Sequence, residues 1–152
     1  MKIVKFFIMF LLFFLIGGFC LLLPLDYNYY ADLNFHLFKP SLNFFQIFNL
    51  IYITLFSLSI TEVFQICGNV SNKFNIRILL NVISFILIRI SFNLHSLLFT
   101  FLFSFSLFIS LLYVYEEISL MHEKSTRYLD INVLYSLLLS AFNFCLYVLN
   151  CS

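Results

Sequence analysis

Long apolar stretches alternate along this chain with short polar gaps that hold nearly all of its charged residues. A helix needs about 20 mostly apolar residues to cross roughly 30 Å of hydrocarbon. We interpret five stretches as membrane-spanning helices: residues 6–23, 44–66, 78–94, 97–115 and 131–149. The pattern therefore predicts an all-α polytopic membrane protein, in which five transmembrane helices form one bundle and one domain over residues 1–152.

The composition agrees with a membrane protein. Of the 152 residues, 63% are hydrophobic and only 10% are charged, whereas an ordinary soluble domain has roughly 25% charged residues. The net charge is +1 and no basic stripe is present, so we expect no nucleic-acid partner. The partner that the composition predicts is the lipid bilayer.

The connectors between the predicted spans differ in length. The first connector, residues 24–43, is long enough to hold structure of its own. Between the third and fourth spans, only Asn93, His95 and Ser96 are suited to turning the chain. We predict a tight hairpin there.

Basic residues accumulate on alternate gaps, and this distribution predicts the orientation. With five spans, six basic residues share one side: Lys2, Lys5, Lys73, Arg77, Lys124 and Arg127. Lys39 alone lies on the other side. Because Lys and Arg near span ends resist translocation, the N-terminus is predicted on the cytoplasmic or matrix-like side.

The first apolar segment has a second interpretation, as a cleaved signal peptide. Two lysines precede a short apolar run that ends in Gly17, Gly18 and Cys20, which is the general layout of such a peptide. However, Phe19 stands where a lipoprotein signal needs a small residue, and the apolar run continues to Leu23. We therefore favour a retained span.

Candidate catalytic and metal-binding residues are few. His36, His95 and His122 lie in three different connectors without Cys, Asp or Glu at ligand spacing, so we expect no metal site. No nucleophile or phosphate-loop motif occurs, and no catalytic residue is predicted. The cysteines are expected to pack as small apolar side chains. A disulfide between Cys20 and Cys151 stays open, because it requires an oxidising membrane face.

Two ionisable residues, Glu62 and Arg89, lie inside the second and third predicted spans. Intramembrane charges are costly enough to count as functional-site hypotheses by default. Measured from their shared membrane face, their depths differ by roughly 10 Å at 1.5 Å per residue. Whether they pair stays open, and together they suggest an ion or proton pathway as one alternative function.

Polar residues on the fifth span recur at helical spacing and form a single stripe that should avoid lipid. The stripe consists of Ser136, Ser140, Asn143, Tyr147 and Asn150. One interpretation is helix packing through hydrogen bonds. The other is a pocket among the helices, where Tyr52 and Tyr135 would offer flat faces to a planar apolar ligand.

Three parts of the chain carry a family resemblance. The first connector and the second span read Tyr29-Tyr30-Ala31-Asp32-Leu33, Lys39-Pro40-Ser41-Leu42, and then Phe48, Ile51, Tyr52, Leu55 and Phe56. The last span has Tyr135 and then Ala141-Phe142-Asn143-Phe144-Cys145-Leu146-Tyr147-Val148-Leu149-Asn150. These segments resemble the W-Y-x-x-L, K-P-x-W-x-P-P, F-x-x-V-W-T-x-L-Y and W-x-x-F-A-x-x-L-N-x-x-I-W-x-L-N motifs of the translocator protein family, also called tryptophan-rich sensory proteins.

The resemblance implies an integral membrane receptor or carrier that holds a porphyrin, haem or another planar, lipid-like ligand between five helices, under the first connector. It implies no required cofactor. Carried over by position, the ligand-binding residues are Tyr52, Phe56, Tyr135, Leu139 and Asn143. The lid residues in the first connector are Tyr29, Tyr30, Lys39 and Pro40.

The chain also departs from the family pattern. It has no Trp, and Phe44-Phe45 replaces the usual pair of prolines. We therefore expect no porphyrin-degrading activity, which the family links to pocket tryptophans, and the chain is predicted not to be an enzyme. An alternative function is a small structural or assembly subunit of a membrane complex with no ligand. A homodimer stays open, although small-x-x-x-small spacing is missing.

Overall fold

The computed structural model describes residues 2–35, 39–68 and 70–151, apart from the side chains of Lys2 and Cys20. This part of the chain is helical and contains no strand, which confirms the predicted all-α class. Its elements are α1 (Lys2–Leu22), α2 (Tyr27–Asp32), α3 (Leu42–Cys67), α4 (Asn72–Asn93), α5 (Leu97–His122), a 3₁₀ helix (Glu123–Tyr128) and α6 (Asp130–Cys151).

Four helices in the described ranges are long and apolar enough to cross a membrane. They are α3, α4, α5 together with the 3₁₀ helix that continues it, and α6. The first helix, α1, is also apolar, over the shorter stretch from Ile3 to Phe19. This architecture is that of a multi-pass membrane protein.

Helices α4 and α5 extend furthest past the spans predicted from hydropathy. The start of α4 is Asn72 rather than residue 78, because Ser71 Oγ accepts a hydrogen bond from the Phe74 N–H (3.1 Å) and caps the helix. Helix α5 continues past residue 115 to His122. Hydropathy detects the apolar part of a helix, and these ends are polar.

The tight hairpin between the third and fourth spans is confirmed. Helix α4 ends at Asn93 and α5 begins at Leu97. The turn is closed by a hydrogen bond from the His95 N–H to the Phe92 carbonyl (2.9 Å), and His95 has φ of +58°. This left-handed conformation is uncommon for residues other than glycine.

The five longer helices pack in a ring. Going around it, α1 contacts α3, α3 contacts α6, α6 contacts α5, α5 contacts α4, and α4 returns to α1. Helix α3 also reaches α5 across the middle. On the outside, α1 exposes Phe7, Leu11, Leu15 and Leu22, as expected for a surface that faces lipid.

Asn81 joins three helices through its side-chain amide. Its Oδ1 accepts a hydrogen bond from Tyr52 Oη on α3 (2.9 Å), and its Nδ2 donates to Ser110 Oγ (3.1 Å) and the Leu107 carbonyl (3.3 Å) on α5. Asn81 is almost completely buried. Polar residues within these helices therefore pair across helix interfaces, as membrane helices commonly do.

Gly17 allows α1 to approach α3 closely. A Cβ added at Gly17 would lie 2.9 Å from Ile53 Cγ2 and 3.3 Å from Ile53 Cγ1, whereas one added at the adjacent Gly18 would meet no atom within 4 Å. Ile53 is β-branched, so its χ1 angle is restricted in a helix and the side chain cannot easily turn away.

We predict that Gly17→Leu destabilises the protein by about 1–3 kcal/mol through overpacking. Gly18→Leu is the matched control. Both changes alter helix propensity equally, and only Gly17→Leu introduces the clash with Ile53. Unfolding by SDS in mixed micelles, followed by circular dichroism, measures the difference. Equal destabilisation by the two variants would contradict the predicted contact.

Candidate functional site

A cavity of about 70 Å³ lies between α3, α4, α5 and α6, beneath the first connector. Its wall is mostly apolar and rich in aromatic rings. The lining residues are Leu25, Tyr30, Leu42, Phe45, Asn49, Phe85, Ile88, Arg89, Phe92, Thr100, Tyr135, Leu139, Phe142, Asn143 and Leu146. Typical ligand pockets have volumes of roughly 300–1,000 Å³, so a large ligand requires this cavity to widen.

Aromatic contacts build the wall nearest the first connector. The Phe45 ring lies 5.1 Å from the Phe142 ring and 6.5 Å from the Tyr30 ring, and Tyr30 lies 6.3 Å from Phe92. These contacts join α3, α6, α2 and α4 around one space. Ring faces and edges of this kind suit a flat apolar ligand.

The first connector is anchored along one edge by Asp26. The Asp26 carboxylate caps α2 by accepting a hydrogen bond from the Tyr29 N–H (2.9 Å), and it contacts His95 Nε2 in the α4–α5 turn (2.9 Å). The Tyr29 ring stacks on the His95 ring at 4.1 Å. Asn93 Nδ2 adds a hydrogen bond to the Pro24 carbonyl (2.7 Å).

The opposite edge of the first connector is held by Tyr30, Lys39 and Asn34. Tyr30 Oη donates to the Pro40 carbonyl, and burial raises the pKa of Tyr30 to about 12. Lys39 Nζ lies 5.4 Å from the centre of the Tyr30 ring, within cation–π range. The Asn34 N–H donates to Asn150 Oδ1 at the end of α6 (2.8 Å).

All four predicted lid residues belong to this covering segment. Tyr30 lines the cavity directly, and Tyr29 packs against the α4–α5 turn. Lys39 Nζ donates to the Ala31 carbonyl (2.9 Å), and Pro40 provides the carbonyl that Tyr30 bonds. The residues are thus brought together over the cavity.

Three of the five predicted ligand-binding residues line the same cavity. Tyr135, Leu139 and Asn143 follow one another along the inner face of α6. Tyr135 Oη donates to Asn49 Oδ1 on α3 (2.8 Å). In the polar stripe predicted on this helix, Ser136, Ser140 and Asn143 are buried and face inward. Tyr147 and Asn150 are half-buried.

The other two, Tyr52 and Phe56, line a separate cavity of about 30 Å³ between α1, α3 and α4. The hydrogen bond from Tyr52 Oη to Asn81 turns the tyrosine toward α4. Its ring lies 6.0 Å from the Phe56 ring and 6.2 Å from the Tyr135 ring. Tyr52 therefore stands behind the wall of the main cavity rather than in it.

Glu62 and Arg89 lie near opposite ends of the bundle. Glu62 accepts a hydrogen bond from Ser125 Oγ (2.7 Å) and lies 3.8 Å from Arg127 Nη2. Arg89 Nε donates to the Leu23 carbonyl at the end of α1 (2.6 Å). At 1.5 Å per residue the two positions are roughly 18 Å apart along the helices, so this arrangement does not favour their direct pairing.

The histidines serve local contacts where they are described. His122 Nδ1 lies 2.8 Å from Ser125 Oγ, and His95 faces Asp26 as above. His36 falls outside the described residues. Within the ranges that the structure describes, no group of three or more His, Cys, Asp or Glu side chains is placed to hold a metal ion. Cys151 is a free thiol, and the side chain of Cys20 is not described.

Several cavity residues were not predicted from the sequence. Phe45, Phe85, Phe92 and Phe142 are phenylalanines in a chain that contains 23 of them, so composition gives no reason to single them out. The sequence indicates Arg89 as a charge inside a span, but it does not predict that Arg89 lines the cavity. The sequence pattern could have indicated Phe142 and Leu146 as cavity residues, because at helical spacing they share one face of α6 with Tyr135 and Leu139.

Compared with models of known protein families and with curated proteins, the chain gives no match. The case for a function therefore depends on the residues and on their geometry.

The Asp26 contacts predict how pH affects the first connector. Hydrogen bonds from the Tyr29 N–H and from His95 hold the pKa of Asp26 below its ordinary value. A carboxyl with a lowered pKa stabilises the folded state above its unfolded pKa, and this contribution disappears as pH falls through the folded pKa. The connector should therefore keep its packing from neutral pH down to about pH 4 and loosen below it.

Amide hydrogen exchange at Tyr29 and Tyr30, corrected for the intrinsic pH dependence, measures this loosening. Asp26→Asn should remove the acid transition. Asp32→Asn, on the same short helix, is the matched control and should leave the transition in place. An identical acid transition in the Asp26→Asn protein would show that another group is responsible.

Proposed function

We propose that this chain is a five-span membrane receptor or carrier of the translocator-protein type, in which α1 is the first span. It binds a porphyrin, haem or a similar planar, lipid-like ligand between its helices and catalyses no reaction. The observation that carries the proposal is the cavity beneath the first connector, whose wall includes Tyr135, Leu139 and Asn143. The resemblance implies a ligand at this same location.

The way in which the cavity is covered supports an entry route in which the ligand displaces the first connector. The first connector is attached by buried apolar contacts of Tyr30 and Leu33 and, along its edges, by hydrogen bonds that are partly exposed, such as those of Asp26 and Asn34. Such bonds can be exchanged for bonds to water at little net cost. Displacement of α2 would join the cavity to the membrane surface and supply the volume that a tetrapyrrole needs.

The half of the molecule away from the first connector would act as a rigid scaffold for this site. Ile60, Val63, Phe74, Val114 and Ile118 have no exposed surface. They pack between α3, α4 and α5 at the end away from the first connector. A site formed by one loosely filled end and one closely packed end suits ligand uptake from a single side of the membrane.

The same proposal includes the orientation predicted from basic residues. Arg77 on α4 pairs with Glu117 on α5 (2.7 Å), and Arg127 lies in the connector at that same end. Lys39 lies at the end covered by the first connector. By the positive-inside rule the cavity would then open toward the side opposite the cytoplasm or matrix, and the N-terminus would lie inside.

Titration with protoporphyrin IX in lipid nanodiscs tests the proposal. The wild type should shift the porphyrin absorption band and lose tyrosine fluorescence, relative to empty nanodiscs. Tyr135→Ala should weaken binding by about tenfold, since one aromatic contact contributes about 0.5–1.5 kcal/mol. Tyr113→Ala is the matched control, because Tyr113 is half exposed on the outer side of α5.

If neither the absorption band nor the fluorescence changes with wild type, the proposal of a porphyrin receptor fails. Co-purification with a larger membrane complex would then favour the assembly-subunit function. If the two tyrosine variants lose affinity equally, the porphyrin binds elsewhere, and this cavity is not its site.

A further inference from the structure

We infer that Arg89 and Asn143 form an anion-binding subsite in the cavity wall, which takes a carboxylate carried by the apolar ligand. The inference rests on the proposed function for the body of that ligand and specifies its chemical class. The ligand is an acid with an apolar ring system or chain, rather than a neutral lipid.

Among the described residues that line the cavity, Arg89 has the only charged side chain. It is 4% exposed, and its Nε donates to the Leu23 carbonyl, which fixes the position of the guanidinium. A guanidinium has five N–H donors in a planar fork that matches the two oxygens of a carboxylate. An ionised side chain buried within a span is a functional-site candidate by default.

Asn143 provides the second, independent observation. It is 5% exposed and lines the same cavity from α6, and its Nδ2 has no hydrogen-bond partner within the described part of the chain. Most buried polar atoms in folded proteins do have partners, so an unpaired donor needs an explanation. A ligand oxygen in the cavity would provide the missing acceptor.

The rest of the lining gives the subsite its selectivity for charge. The lining that the structure describes contains no Asp or Glu. The three hydroxyl groups there are already used, since Tyr30 donates to the Pro40 carbonyl, Tyr135 to Asn49 and Thr100 to the Ser96 carbonyl. An anion beside Arg89 gains from the low dielectric of this apolar space, whereas a second cation would be strongly disfavoured.

A structural role for Arg89 alone would give different behaviour. The bond to Leu23 means that Arg89 also secures the end of α1, and any substitution could loosen that end. Loss of this role would weaken charged and neutral ligands alike. Recognition of a carboxylate, in contrast, weakens only the acid.

The experiment compares each acid with its methyl ester. The probes are protoporphyrin IX and its dimethyl ester, which represent a flat ring, and dodecanoate and methyl dodecanoate, which represent a chain. Binding to the full chain in nanodiscs is corrected for partition into empty nanodiscs. We expect wild type to prefer at least one acid over its ester by about 10- to 100-fold, as for a hydrogen bond to a charged group.

Arg89→Gln should remove this preference while the ester binds as it does to wild type. Arg89→Lys should retain part of it, because the charge remains. Asn143→Leu, which removes the donor at similar volume, should weaken the acid more than the ester. Arg127→Gln is the matched control: Arg127 is an exposed arginine at the other end of the bundle, and its loss should leave the preference unchanged.

The outcomes separate this inference from the proposed function. Equal binding of both porphyrin forms and no preference for dodecanoate would overturn the subsite and leave the receptor proposal standing. Arg89-dependent binding of dodecanoate without any porphyrin binding would support the subsite and reject a tetrapyrrole ligand. If Arg89→Gln weakens acid and ester by the same factor, Arg89 has only the structural role.

Discussion

Polar side chains inside the apolar helices have to find hydrogen-bond partners within the bundle, because hydrocarbon offers none. This constraint decides how the helices meet. Asn81 links α3, α4 and α5 through three hydrogen bonds, and Asn132 Nδ2 on α6 donates to the Tyr52 carbonyl on α3 (2.9 Å). Since lipid tails are as apolar as the helix surfaces, such contacts and close packing hold the helices in one arrangement.

The same constraint explains why the two ends of the molecule differ. At one end, Ser125 is a buried residue of the 3₁₀ helix. Its Oγ donates to Glu62, and its carbonyl accepts from Ser59 Oγ (2.8 Å). Ser59, Glu62 and Ser125 are thus paired with one another within a closely packed region. At the other end, the helices separate around the cavity, and the first connector closes the gap through Asp26 and Asn34. The hollow end therefore depends on a short segment for its cover.

The helices could be predicted from the sequence because hydropathy and helix length are coupled by the thickness of a membrane. The start of α4 could not be predicted from hydropathy, since it depends on capping by Ser71 rather than on apolar residues. In the site, Tyr135, Leu139 and Asn143 could be placed together because they share one face of one helix. Tyr52 could not be placed, because its direction is decided by Asn81, which lies 29 residues away on another helix.

The cavity wall contains no tryptophan, because the chain has none. Phenylalanine side chains provide most of its aromatic surface, and a phenylalanine ring has no polar atom that could orient a ligand. Orientation must then come from the few polar groups that face the same space. In the wall of this cavity, Arg89 and Asn143 lie on different helices and converge from two sides. A chain that keeps a buried arginine among phenylalanines thus combines a nonselective apolar surface with one selective charge. The proposed subsite would make this combination selective for amphipathic acids over neutral, flat molecules.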